Sequence, residues 1–131
     1  MFAMSVAVNE SFGWCWILVG FLVGGWLGLS FNKPDWLGGY ASYPRRLVRL
    51  GHISFIGLGL LNILFALSAA RCNLEPQQLQ IAAIAMIVGA IGMPLACGLT
   101  AWRAAFKPLF YIPVASLLTG VGLIAYGMVR G

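Results

Sequence analysis

From position 50 to position 70 the sequence carries no Asp, Glu, Lys or Arg, and Arg45, Arg46 and Arg49 stand just before that run. A helix needs about 20 apolar residues to cross a hydrocarbon core of about 30 Å. Three further runs obey the same rule, with charge confined to their ends. This spacing constrains the chain more than any motif in it. Apolar helices are expected at about 12–31, 47–70, 79–102 and 108–129, separated by short polar breaks such as Asn32-Lys33-Pro34-Asp35.

Composition leads to the same class. Of the 131 residues, 61% are hydrophobic and 8% charged, where soluble domains run nearer half and a quarter. The mean hydropathy is +0.92, and a chain this short has too much surface for its volume to bury so much apolar area internally. The expected fold class is an all-α integral membrane protein, a single domain built as a four-transmembrane-helix bundle. No internal repeat of the kind inverted-repeat transporters carry is visible.

The basic residues orient it. Lys33, Arg45, Arg46, Arg49, Arg103 and Lys107 fall on one face, and only Arg71 and Arg130 on the other. The richer face is expected to be cytoplasmic, which places both termini on the non-cytoplasmic side of what reads as a bacterial inner membrane. The first run has no basic region before it and no small-x-small cleavage site after it, so a retained helix is expected. A net charge of +5 gathered at helix ends reads as topology and headgroup contact, not as nucleic-acid binding. Trp14, Trp16, Trp36, Tyr40, Tyr43, Trp102 and Tyr111 are expected at membrane interfaces. The segment Trp36 to Tyr43, with Gly38-Gly39 inside it, is expected to lie along the cytoplasmic surface.

Helix packing is read from small residues. Gly20, Gly24 and Gly28, spaced four apart, form an expected contact stripe on the first helix, with Ala85/Gly89 and Ser116/Gly120 as counterparts later. Pro94 is expected to kink the third helix. Asn62, deep in the second, is expected to hydrogen-bond to a neighbouring helix.

His52 is the one histidine. A within-membrane ionisable group needs a partner and is a functional candidate by default. Thr100 on the third helix, or water, would satisfy it as a structural residue. As a ligand it would bind haem b, a quinone or a lipid headgroup. With a single histidine, haem would need a second protomer or a sulfur ligand, for which Met93 is the candidate. Arg45, Arg46 and Arg49 are expected to anchor the chain and to contact lipid or a partner through bidentate binding of phosphate or carboxylate. Asp35 is the one acid on their face.

Cys15, Cys72 and Cys97 lie on different segments without CxxC spacing, so neither a disulfide framework nor a metal site is expected. No catalytic constellation is present. Glu10, Asp35 and Glu75 all lie outside the apolar runs, which argues against a small multidrug-type exporter needing an embedded carboxylate. The layout is similar to that of four-helix membrane glutathione transferases. The arginine run here ends in Gly51-His52, without the acidic residue and asparagine of that family's motif. The expected function is a structural or accessory subunit, or an assembly factor, of a larger membrane complex. Its partners would be the lipid bilayer and other membrane subunits or a second copy of itself. The alternatives are a haem- or quinone-binding redox subunit using His52, and a small transporter or lipid-binding protein.

Overall fold

The computed structural model describes the backbone of residues 2–131 and the side chains of residues 6–131. The chain forms four α-helices, α1 (Phe2–Phe31), α2 (Tyr43–Ser68), α3 (Pro76–Trp102) and α4 (Tyr111–Val129), and no strand is found among the described residues. Each is long and apolar enough to cross a membrane, the four spans covering 26 to 29 residues. At about 1.5 Å per residue the first three spans reach about 40 Å, more than a 30 Å hydrocarbon core needs unless they tilt, and the 19 residues of α4 reach about 28 Å.

Local chemistry sets the helix starts. Ser42 caps α2, its hydroxyl accepting from the Arg45 backbone N–H at 3.3 Å, and Pro44 occupies the first turn where no amide donor is missed. That cap brings the helix start forward from the expected Leu47 to Tyr43. Before α3, the Glu75 N–H donates to the Gln78 side chain at 3.1 Å, and Pro76 follows at the first position. α1 differs most from expectation. It starts at Phe2 instead of near Phe12, and so carries Asn9 and Glu10 on helix.

α1 and α2 run antiparallel along one close seam. A Cβ added at Gly13 would lie 2.5 Å from the Gly59 carbonyl, and one at Gly59 would lie 2.9 Å from the Gly13 carbonyl. Further along, Gly20 packs on Phe55 and Ile56, and Gly24 packs directly on the His52 ring. Gly28 is not in this seam: a Cβ there meets nothing within 4 Å. The reason is geometric. Four residues turn an α-helix by about 400°, so an i, i+4 stripe winds about 40° per step away from its neighbour. Gly13, seven residues before Gly20, stays nearly in line with it and takes the role expected of Gly28.

At one end of the seam Asn9 and Asn62, both 0% exposed, lock three helices together. The Asn9 amide donates to Asn62 Oδ1 at 2.8 Å and to the Ala83 carbonyl at 3.0 Å. The Asn62 amide donates to the Leu58 carbonyl at 2.9 Å and to the Met86 carbonyl at 3.3 Å. Replacing Asn62 by leucine strands one donor of Asn9, and should lower stability by about 1–2 kcal/mol. The double variant Asn9→Leu/Asn62→Leu leaves neither amide stranded. It should therefore be more stable than the sum of the two single losses requires. Unfolding of all four proteins in a sodium dodecyl sulfate titration tests this; strict additivity would show that the two amides act independently.

α3 lies between the α1–α2 pair and α4. A cluster of Phe65, Ala69, Leu79, Ala82, Ala83 and Met86 fills the α2–α3 interface. α4 buries little besides Pro113, Gly120 and Gly127. It lies against α3 where Gly89 receives Leu117, Gly92 receives Pro113 and Gly120 receives Met86.

α3 is helical throughout, Pro94 included. Proline has no N–H and frees the carbonyl four residues back, here that of Ala90. The Trp16 indole N–H donates to that carbonyl at 3.0 Å. Trp16, expected in an aromatic belt, is thus half-buried against α3 and satisfies the acceptor that Pro94 leaves open.

Candidate functional site

The turn between α1 and α2 is organised by Arg45. Its side chain is 3% exposed, and its guanidinium donates to the Phe31 carbonyl at 2.7 Å, with longer contacts to Lys33 O at 3.4 Å and Pro34 O at 3.5 Å. These oxygens lie at and just past the C-terminal end of α1, where the helix dipole favours a cation. The guanidinium also stands 5.4–5.6 Å from the ring centres of Phe31, Trp36 and Tyr40, within cation–π range. Arg45, expected to meet lipid or a partner, is instead an internal cap. Its Nη1 and Nη2 donate to main-chain carbonyls and not to Asp35, while Nε is buried without a partner among the described residues. Arg49 covers the Tyr40 ring at 4.2 Å and has a buried Nη1 with no hydrogen-bond partner. Arg46 alone of the three is exposed.

With α1 capped, the chain reverses sharply. Leu37 adopts φ +53°, followed by Gly38 at +86° and Gly39 at +100°. Only glycine takes the last two without cost, whereas a left-handed leucine costs about 1–2 kcal/mol. The Ser42 hydroxyl holds the turn by donating to the Leu37 carbonyl at 2.6 Å. Trp36 and Leu37 from this turn line a cavity, Leu37 remaining 38% exposed.

The cavity, of about 480 Å³, lies between α1, α2 and the C-terminal half of α3. Its walls include Trp26, Trp36, Trp102, Phe55 and Leu27, and His52 is the one titratable side chain among them. Trp26 of α1 and Trp102 at the end of α3 line it with 71% and 72% exposure, so the cavity is open to the outside of the bundle. Gly98 forms part of the α3 wall, and a Cβ there would meet nothing within 4 Å. A mostly apolar pocket of 300–1,000 Å³ with one placed polar group is the usual form of a small-molecule site.

His52 is half-buried, with Nε2 3.1 Å from the Gly20 carbonyl on α1. Its partner is therefore a main-chain oxygen and not Thr100. Thr100 is 2% exposed and its hydroxyl has no partner among the described residues. A carbonyl only accepts, so in the neutral imidazole Nε2 carries the proton and Nδ1 keeps a lone pair. Met93 is half-buried on α3 and is not part of the cavity wall, so the cavity does not set it opposite His52. No group of three His, Cys, Asp or Glu side chains that could hold a metal ion gathers among the described residues.

Compared with models of known families, curated proteins and solved structures, the chain matches none. The site therefore has to be read from its own chemistry. Of the expected site residues, the structure brings His52, Gly20 and Gly24 together in one contact. It places Asn62 in a separate three-helix lock, and it turns Gly28 and Arg46 outward. Asn9 and Thr100, both buried, and the half-buried Trp16 are polar positions whose partners, or lack of them, only the packing reveals. Outside the spans, Cys72 is a poor nucleophile: burial raises its thiol pKa against the lowering pull of Arg71.

Proposed function

We propose that this chain is a small integral-membrane subunit, an accessory or assembly component of a larger membrane complex. In this reading residues 32–42 and 103–110 face the cytoplasm of a bacterial cell, as the distribution of Lys and Arg favours. Large apolar side chains such as Phe21, Leu29 and Leu118 point outward, as helices solvated by lipid require.

One observation carries the subunit reading. α1 has glycines on two edges and packs only one of them on α2. The outer edge, Gly25 and Gly28, is exposed, and a Cβ at either position meets nothing within 4 Å. Glycine costs a helix about 1 kcal/mol relative to alanine, and small residues are useful in membranes where another backbone approaches closely. Substituting both by leucine should leave the isolated fold unchanged, because nothing inside the chain occupies that space. In digitonin extracts separated by native electrophoresis, the wild-type chain should migrate in an assembly well above its own 14.1 kDa, and the double variant as the free chain. A wild-type chain that runs free even after cross-linking in intact membranes would sink the reading.

The cavity at His52 supports a second reading, in which the subunit contributes a site for an apolar ligand. Its size, its aromatic walls and its single polar group favour this. The two readings are compatible.

A further inference from the structure

We propose that the His52 cavity binds the reduced form of a membrane-soluble quinone, a flat hydroquinone ring with an alkyl tail, through a hydroxyl donated to His52 Nδ1. The proposal rests on the ligand-site reading above and specifies its occupant.

Three features point to this chemistry. The first is the tautomer. Nε2 faces the Gly20 carbonyl at 3.1 Å and must donate to it. No hydrogen bond is made to Nδ1 by the described residues, and it is not among the side-chain atoms sealed from the surface without a partner. His52 is one of the residues lining the cavity, whose other walls are hydrocarbon and aromatic, and Nδ1 is the acceptor it has left to offer a ligand there. The matching ligand group is a donor, and a hydroxyl supplies one without bringing charge into an apolar site.

The second feature is the wall. Trp26, Trp36, Trp102 and Phe55 offer four aromatic side chains around about 480 Å³. Aromatic walls favour offset or edge contacts with another ring, which selects a flat ring over a bare acyl chain. The third is the opening. The exposed Trp26 and Trp102 line the cavity, which is open to the outside of the bundle, and Gly98 places no side chain in the space. A tail could pass outward there to the bilayer while the ring remains inside.

The hydroxyl makes the proposal selective. A quinone has only carbonyl acceptors, and an acceptor set against the Nδ1 lone pair forms no bond. Leaving that lone pair without a donor in the filled site costs roughly tenfold or more in affinity. The reduced form is therefore expected to bind at least tenfold more tightly than the oxidised form.

The test uses the full chain in dioleoylphosphatidylcholine nanodiscs at pH 8. Decylubiquinol is added under argon, and decylubiquinone in a parallel series. Bound ligand above that in empty discs is measured by extraction and chromatography. The expected result is about one quinol per chain, with quinone at least tenfold weaker. His52→Phe keeps a ring and removes the acceptor, so quinol binding should fall to the level of quinone. Gly98→Phe fills the cavity from a position with free space and should remove both.

Each other result overturns something definite. Equal binding of quinol and quinone, both abolished by Gly98→Phe, would overturn the hydroxyl contact and leave the ligand cavity standing. Binding that survives Gly98→Phe would place the site elsewhere and overturn the proposal. No binding of either form above empty discs would remove both the proposal and the ligand-site reading. The comparison of quinol with quinone on the wild-type chain needs no variant, so it decides the matter even if His52→Phe fails to fold.

Discussion

Gly59→Val is expected to leave little folded protein in mild detergent, while Gly57→Val, two residues earlier on the same helix, behaves as wild type. The two substitutions add the same side chain and carry the same change in helix propensity, so propensity cancels in the comparison. They differ only in what the new atoms meet. At Gly57 a Cβ finds nothing within 4 Å. At Gly59 it would stand 2.8 Å from Ile17 Cγ1 and 2.9 Å from the Gly13 carbonyl, far inside ordinary contact. The Gly13 carbonyl belongs to the backbone of α1 and yields only if the whole helix moves. Separating α1 from α2 there also strains the Asn9–Asn62 bond one turn further along. Overpacking alone costs about 1–3 kcal/mol, and loss of the buried amide pair adds to it, so about 3 kcal/mol or more is expected. Fluorescence-detected gel filtration and a denaturant midpoint for both variants measure this. Equal yields and equal midpoints would show that the α1–α2 seam tolerates separation.

Arg45→Ala is the second large effect. It removes the donor to Phe31 O at 2.7 Å and the weaker contacts to Lys33 O and Pro34 O, and leaves the end of α1 uncapped. A hydrogen bond to a charged donor contributes about 1.5–3 kcal/mol, and its stacking on aromatic rings about 0.5–2 kcal/mol. A loss of about 3 kcal/mol is expected. Amide exchange should also quicken in residues 35–42, which only the turn holds in place. Arg46→Ala, which removes the same charge from an exposed position one residue away, should change stability by less than about 0.5 kcal/mol. If positive charge at this boundary served only as a membrane anchor, the two variants would be equivalent, and that result would refute the capping role. Because Arg45 also holds Trp36 over the cavity, its loss should weaken any ligand bound at His52 without touching His52 itself.

Much of the architecture is a local property and was legible as such. Four helices follow from four apolar runs, because the tendency to partition into lipid sums over residues adjacent in sequence. The breaks between them follow from proline, asparagine and charge at fixed places. The start of α1 was misplaced for a related reason. Glu10 reads as lying outside the first apolar run, and only a partner 53 positions away makes its neighbour Asn9 a buried helical residue.

The rest was decided in three dimensions. An i, i+4 rule selected Gly20, Gly24 and Gly28, but which glycines meet α2 depends on how far the stripe has wound round the helix, and the answer is Gly13, Gly20 and Gly24. Three arginines in one short run look alike in sequence. The antiparallel turn puts the end of α1 beside the first, covers the third with Tyr40 and leaves Arg46 outside. Trp16 reads as an interfacial aromatic until Ala90 is found without its helical donor. His52 was visible as the one histidine of the chain. Its proton is placed by a carbonyl on another helix, and its cavity is built by a turn whose left-handed leucine no local rule suggests. Hydropathy and charge act along the chain and so could be read from it. Hydrogen-bond partners and close backbone approach depend on register between helices, which only the folded protein sets.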